Sequence, residues 1–562
     1  MSPARMRLEG IRAEAMERAR QRLTLILILF AGAFLLVAGR TLELGLIEAV
    51  AEAPAMSRGQ LDSPPMRADI VDRNGEILAT NLEVQSLYAD PAKVLDPAAE
   101  AAALVRVLPA LSEAEIRARL ESRRRFVWIK RKLTPEQVWR VNALGLPGLG
   151  FETEQERIYP QGRLAAHVVG FADPDGKGLA GIEHAFDERL SDPAAVDEPL
   201  ALSLDVRVQH ALTDEIARGM EQFTAKAGAG LVLDVETGEL LALASLPDFD
   251  PNHAASASDE QRLNRISHAV YELGSVFKIF TVAMALEGGV ADLDDTYDAR
   301  EPLKAARFLI HDDHPQNRIL SVPEVFIHSS NIGAARMALD IGGERQQAFL
   351  RAAGLMRPAA IELPEVGRPI LPDRWREVRT MTVAYGHGIA VSPLQAASAV
   401  AAIVNGGDLI PATLIAKPDG HDSQGQRLVS ERTSRHMRRL MRLAVTDGTG
   451  EQADVPGYRL AGKTGTAEKA IAGGYARKAL LSSFVGVFPG DAPRYLVFVL
   501  FDEPTGTKDT AFYETGGWTA APAVGRVVSR IAPLLGVEPG PRDVPELHRA
   551  ALQVAEVAGG GP

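Results

Sequence analysis

The sequence predicts an α+β fold: an antiparallel sheet flanked by helices, preceded by a smaller mixed domain and one transmembrane helix. Three observations predict it. Short apolar, strand-like runs stand at both ends of residues 223–540 with helical segments between them, which suggests one sheet closed by both ends of the region. Residues 97–145 are rich in Ala, Leu, Glu and Arg and read as helices of a separate mixed domain. Leu23 to Gly39 is a run of 17 uncharged residues, the short end of the roughly 17–25 needed to span a bilayer.

Taken in order, residues 1–22 form a leader with six arginines against three glutamates. Arginines on this side of an apolar run place it in the cytoplasm and the rest of the chain outside. The apolar run is long for the roughly 7–15-residue core of a cleaved signal peptide, so residues 23–44 read as an uncleaved anchor. Residues 45–65 carry Pro and Ser and read as a linker into a domain spanning 45–222. Asn74-Gly75 between two short apolar runs signals a hairpin. Gly178 to Leu190 starts an amphipathic helix, and 199–222 reads as a strand followed by a helix. Ala229 to Ser245 is strand, turn at Glu236-Thr237-Gly238, strand. Strands return at 458–466, 481–488 and 494–501, and the Pro-, Ala- and Gly-rich tail 541–562 reads as loosely ordered.

Composition narrows the function. The chain has 562 residues, a formal net charge of −12 and no cysteine. The acidic balance gives no support to nucleic-acid binding. Lack of cysteine excludes disulfides, thiolate metal sites and a cysteine nucleophile.

Three short motifs can carry chemistry. In Gly274-Ser275-Val276-Phe277-Lys278, serine and lysine share one face of a helix. A serine hydroxyl needs a base, and a buried lysine near a second cation can lose its charge and serve as one. A helix cap with a solvated lysine explains the same residues. Ser329-Ser330-Asn331 stands at the start of an apolar helix, where capping suffices and a proton relay with a polar clamp is the functional reading. Lys463-Thr464-Gly465-Thr466 ends an apolar run; a strand edge with two hydroxyls, an ammonium and a glycine suits an extended peptide ending in a carboxylate. Gly457 to Thr464 also satisfies the phosphate-loop spacing, but lacks the strand before and the helix after that such a loop requires. His311-Asp312-Asp313-His314 reads as a solvated loop rather than a metal site, and no metal or other cofactor is expected. His387 reads as a turn or packing residue, and the basic run Arg123 to Lys132 as a solvated or partner-facing strand.

Together and in this order, the three motifs form a signature shared by penicillin-binding proteins and class A β-lactamases. With the anchor, and with Asp72-Arg73-Asn74-Gly75, Arg157, Tyr159-Pro160 and Gly181-Ile182-Glu183, the chain resembles the class B penicillin-binding proteins. Within these it is most similar to the cell-division (septal, FtsI-type) branch, because the elongation branch has aspartate at the place of Asn331 and serine at that of Thr464. Leu273 departs from the proline many members carry there.

The resemblance implies a penicillin-binding/serine-transpeptidase fold on an N-terminal pedestal, and a peptidoglycan D,D-transpeptidase. Ser275 is then the nucleophile, Lys278 its base and Ser329 the proton relay. Asn331 holds Lys278 and a substrate amide, and Lys463 keeps the field positive. Thr464, Gly465 and Thr466 line the substrate, with the amides of Ser275 and Thr466 as oxyanion hole. Implied partners are stem peptides, β-lactams, a membrane glycan polymerase and other division proteins, at the inner membrane with the catalytic domain periplasmic. A β-lactamase, an elongation enzyme and a sensor that acylates without crosslinking are the rival readings.

Overall fold

The computed structural model describes residues 24–25, 28–38, 40, 66–306, 308–418, 424–471 and 474–540, with 470–471 and 474–478 described by backbone alone. They fall into two units, 1–63 and 64–562. In the first, the described residues are helical and exposed. Among the described residues no helix is long and apolar enough to cross a membrane. The leader 1–22, much of the expected anchor 23–44 and the tail 541–562 lie outside the described residues.

The second unit opens with a twisted sheet. Strand β1 (Ile70–Val71) turns through Gly75 (φ 87°) into β2 (Ile77–Ala89). Asp72 holds this turn by accepting from the amides of Asn74 and Glu76 at 2.7 and 2.9 Å. β2 pairs with β3 (Val127–Leu133) and, from Thr80 to Ala89, with β4 (Leu149–Ile158). Helices α1 (Pro97–Val107), α2 (Glu113–Leu120) and α3 (Pro135–Asn142) cover it through Leu104, Ile116, Leu120 and Val141. From Val127 on, the basic run thus forms a half-buried strand, while Arg123 to Phe126 lie in the turn before it. The segment from Gly178 makes a short hairpin, β5 (Phe171–Ala172) with β6 (Gly178–Ala180), then two helices broken at Phe186 rather than one. β7 (Leu200–Ala201) returns parallel to β1 and leads into α4 (Val206–Phe223).

The main sheet is antiparallel. Among the described residues its order is β10 (Ala461–Ile471), β11 (Gly474–Phe488), β12 (Tyr495–Asp502), β8 (Ala227–Asp234), β9 (Leu240–Leu246). Strands from both ends of the region do close one sheet. Side chains of β12 alternate between two cores, as a period of two requires. Val497, Val499 and Phe501 face α4 and a C-terminal helix, Ala520–Leu534, through Leu212, Ile216, Val524 and Val528. Leu496, Phe498 and Leu500 face the helices between β9 and β10 through Ile279, Phe280, Leu394 and Val400. Lys463 and Thr464 lie within β10, with no helix after them, so the phosphate-loop spacing has no phosphate-loop structure.

Candidate active site

Ser275 sits on a 3-10 turn, Gly274–Phe277, that runs into α5 (Lys278–Glu287). Residues Lys278 to Ala285 are all buried, as expected of a helix that is apolar on every side. Lys278 is drawn into the core with its helix and is fully buried. Gly274 is left-handed (φ 54°), and a Cβ there would stand 2.2 Å from Thr466 O. Glycine thus allows the turn to lie against β10. A Cβ on Gly386 would in turn come within 2.2 Å of Gly274 O. The Tyr385–Gly388 segment therefore backs the nucleophile's turn, and the His387 ring packs 5.2 Å from that of Tyr385.

The second motif begins α6 (Asn331–Ile341), capped by Ser330, whose Oγ accepts from Gly333 N at 2.9 Å. Just before it, Ser329 is left-handed (φ 59°), which costs a residue bearing a Cβ roughly 1–2 kcal/mol. Asp312 holds this geometry. It accepts from Ser330 Oγ at 2.7 Å and from Ile332 N at 2.9 Å, while Asn331 Nδ2 donates to His311 O at 3.0 Å. The expectation of a solvated 311–314 loop holds for His311, Asp313 and His314, which are exposed, and is corrected for Asp312, which is buried and braces the motif because its carboxylate meets a hydroxyl and a helix N-terminal amide together.

Lys278 Nζ joins the first two motifs. It lies 3.0 Å from Ser275 Oγ, 3.0 Å from Ser329 Oγ and 2.7 Å from Asn331 Oδ1, and donates to Ser329 O at 2.6 Å. The third motif arrives on β10, an edge strand. Lys463, also fully buried, places Nζ 3.0 Å from Ser329 Oγ, 3.3 Å from Thr464 Oγ1 and 5.9 Å from the Phe326 ring centre. Thr464 Oγ1 lies 2.7 Å from Thr449 Oγ1, and Thr466 Oγ1 accepts from Gly516 N at 3.1 Å. A Cβ on Gly465 would meet Ser483 Oγ at 2.3 Å and Leu273 O at 2.7 Å. The glycine thus makes room for the protein's own turn, where the sequence reading had it make room for substrate.

Burial sets the electrostatics. It pushes Lys278 down from 10.5 to about 8, against the opposing charges of Asp313 and Asp312. Lys463 lies well below the usual lysine range, from burial first and then the charge of Lys278. Two buried ammoniums joined through one hydroxyl cannot both keep their protons cheaply. The two lysines therefore act as a coupled pair, and Lys463 is not a simple fixed cation.

The structure thus brings Ser275, Lys278, Ser329, Asn331 and Lys463 into one hydrogen-bonded network beside the edge carrying Thr464, Gly465 and Thr466. Such a network can move a proton off Ser275 and present its oxygen to a carbonyl laid along β10. Sequence reasoning missed Asp312 and Thr449. Nothing local marks either one, since each acts on a segment distant in the chain.

Comparison with known proteins agrees with this arrangement. Residues 228–528 match the penicillin-binding protein transpeptidase domain, and residues 62–194 the penicillin-binding protein dimerisation domain. The chain is 46% identical over 484 residues to the probable peptidoglycan D,D-transpeptidase FtsI of Caulobacter vibrioides, covering 84% of this chain and 82% of that one. Among solved structures it is similar to penicillin-binding protein 3 of Mycobacterium tuberculosis, complexed with aztreonam (TM-score 0.66, 26% identity, 85% of this chain and 98% of that one). It is also similar to the transpeptidase domain of Burkholderia pseudomallei penicillin-binding protein 3 (TM-score 0.54, 33% identity, 60% and 97%). The sheet, its helices and the dimerisation-type region ahead of them define a penicillin-binding protein with the transpeptidase fold. The chain belongs to the class B penicillin-binding proteins of the FtsI type.

Proposed function

We propose that this protein is a serine-type peptidoglycan D,D-transpeptidase that crosslinks stem peptides in septal wall synthesis and is acylated by β-lactams. The observation that carries the reading is the 3.0 Å approach of a fully buried Lys278 Nζ, pushed down to about 8, to Ser275 Oγ.

Neutral Lys278 takes the proton from Ser275 as Oγ bonds to the penultimate D-Ala carbonyl carbon. The carbonyl oxygen becomes the oxyanion, held by the amides of Ser275 and Thr466; loss of one such donor costs about 10²–10³ in rate. The tetrahedral centre collapses, the C–N bond breaks, and Ser329 passes the proton from Lys278 to the departing D-Ala amine. Asn331 steadies Lys278 through its 2.7 Å contact. Lys463 reaches the same Ser329 hydroxyl at 3.0 Å and holds it in line with Lys278. Thr464 and Thr466 meet the substrate carboxylate. An amine from a neighbouring stem then attacks the acyl-enzyme carbonyl and loses its proton to Lys278; the bond between that carbon and Ser275 Oγ breaks, and Lys278 returns the proton to Oγ.

Residues 45–222 serve as pedestal and 223–540 as transpeptidase domain. The leader and the 23–44 segment anchor the chain once in the inner membrane, with the catalytic part periplasmic and at the division site. The uncharged Leu23 to Gly39 run behind six arginines supports this. A membrane glycan polymerase and other division proteins are the partners this placement calls for.

Intact-mass measurement with a fluorescent penicillin tests the nucleophile. Wild-type protein gains one label that is shed slowly, and Ser275→Ala gains none. Label on Ser275→Ala removes the assignment, and rapid turnover of the label points to a lactamase. Release of D-Ala with formation of crosslinked product from a pentapeptide donor separates the transpeptidase from a sensor.

A further inference from the structure

Beside the Ser275 network stands a carboxylate that the acylation steps do not use. Asp312 is buried, with its oxygens on Ser330 Oγ and Ile332 N at 2.7 and 2.9 Å, and Asn331 Nδ2 donates to His311 O at 3.0 Å. These bonds hold the 311–312 backbone against the second motif, whose Asn331 Oδ1 lies 2.7 Å from Lys278 Nζ. Asp313 follows directly, and one peptide step moves the chain by only about 3.8 Å. Its side chain is exposed where that of Asp312 is buried, so it faces water at the rim of the site. Among the described residues it makes no hydrogen bond and no ion pair.

Two separate groups feel its charge. Burial pushes Lys278 down, and of the two carboxylates that oppose this Asp313 acts more strongly than Asp312. Burial first, then the charges of Asp313 and Glu272, push the Tyr385 phenol up to about 12. Tyr385 belongs to the segment that backs the nucleophile's turn, and Glu272 Oε1 accepts from Gly388 N of that segment at 2.9 Å. One side of the opening is therefore acidic. The other side is β10, with the hydroxyls of Thr464 and Thr466 and the Lys463 amine. This polarity fits a peptide with a carboxylate at one end and a cation further along.

The crosslinking reaction supplies such a peptide. Its acceptor is an amine of a neighbouring stem, so each stem brings a primary amine, the donor included, and a lysine-type amine is an ammonium at neutral pH. Resting on the transpeptidase reading, we propose that Asp313 is a specificity residue that receives the free side-chain ammonium of the donor stem while the stem's terminal carboxylate lies at Thr464 and Thr466. The contact selects a stem whose amine is still unlinked, since an amine already joined in a crosslink is an amide without charge. A rim contact of this kind contributes selectivity more than affinity.

The test uses two reversible inhibitors of the full chain in detergent, acetyl-Lys-boro-D-Ala and its counterpart acetylated on Nε. In both, boron stands in for the reacting D-Ala carbonyl carbon and bonds to Ser275 Oγ. Each is measured by how far it slows acylation by the fluorescent penicillin. Wild type is expected to bind the free-amine compound about fivefold more tightly, the upper range for an exposed ion pair. Asp313→Asn should bind the two equally, and Asp313→Glu, which restores the charge, should regain the preference. A changed Lys278 or a loosened motif moves both compounds alike, so the ratio reads the ammonium alone. High salt should narrow the wild-type ratio, because it screens an exposed pair. Equal binding of the two compounds by wild type, or a preference that survives Asp313→Asn, overturns the proposal and leaves the transpeptidase reading standing on the penicillin label. Failure of the penicillin to label wild type overturns both.

Discussion

Ser330 Oγ donates to Asp312 Oδ2 at 2.7 Å, and this bond ties the loop before the second motif to the cap of α6. The same carboxylate accepts from Ile332 N, so one side chain holds the residues on either side of Asn331, directly after the left-handed step at Ser329. Ser329 and Asn331 each contact Lys278 Nζ, so their position decides where the base stands. Removing the brace should loosen the site more than the fold. Asp312→Ala is expected to slow acylation by a fluorescent penicillin about a hundredfold, the usual effect of a misplacement near 1 Å, while the protein still melts cooperatively. Wild-type acylation in this variant would show that the motif holds itself.

The depressed Lys278 predicts a pH profile. Below about 8 the amine carries a proton and cannot take one from Ser275. The acylation rate should fall about tenfold per pH unit below that point and level off above it. Burial is the first cause of that low value and the charge of Asp313 opposes it, so Asp313→Asn should move the inflection downward. Stopped-flow acylation between pH 6 and 9.5 reads both. A flat wild-type profile would remove Lys278 as the base.

What was legible in the sequence was local. The apolar run after Ser275 announced a buried helix, and three-residue spacing put Lys278 within reach of the hydroxyl. Ser330 was readable as a cap, Asn74-Gly75 as a turn, and the strands at both ends of 223–540 as one sheet. What escaped depends on distant pairing. Asp312 looks like any acidic loop residue until the fold brings α6 beside it. The reason for glycine at 465 is the carbonyl of Leu273, almost two hundred residues earlier. The charge state of Lys463 follows from how deeply β10 and α5 bury two ammoniums side by side, which no spacing records. The break at Phe186 was hidden because both short helices keep the same apolar periodicity.

Three backbone segments meet at Gly274, and the contact predicts a split between activity and stability. Gly274→Ala puts a methyl group against Thr466 O and pushes Ser275 away from β10. Acylation should fall by roughly a hundredfold or more, as for other small displacements of reacting groups. Gly289 gives the control. It is also left-handed (φ 61°), but open space surrounds its missing Cβ. Gly289→Ala should cost about 1 kcal/mol of stability from the backbone alone and leave acylation unchanged. Equal losses of activity in the two variants would mean that the close approach at Gly274 has no special weight.

His167 predicts how stability depends on pH. Its ring is packed edge-on against Phe249 at 5.4 Å, with Nε2 2.8 Å from Gln261 O, which fits a neutral ring donating from Nε2. Burial, helped by the charge of Arg265 and opposed by the Gln261 contact, pushes it down from 6.5 to about 4. Between those two values the unfolded chain binds a proton that the folded chain refuses. Stability from this group is therefore complete above pH 6.5 and falls as pH drops towards 4, by about 2 kcal/mol at pH 5. His167→Gln keeps a donor for Gln261 O and cannot titrate. Urea unfolding of both proteins at pH 7.5 and pH 5 should show wild type losing about 2 kcal/mol more than the variant over that interval. Parallel losses in the two proteins would mean that His167 accepts its proton in the folded state, and that the Phe249 pocket opens to water.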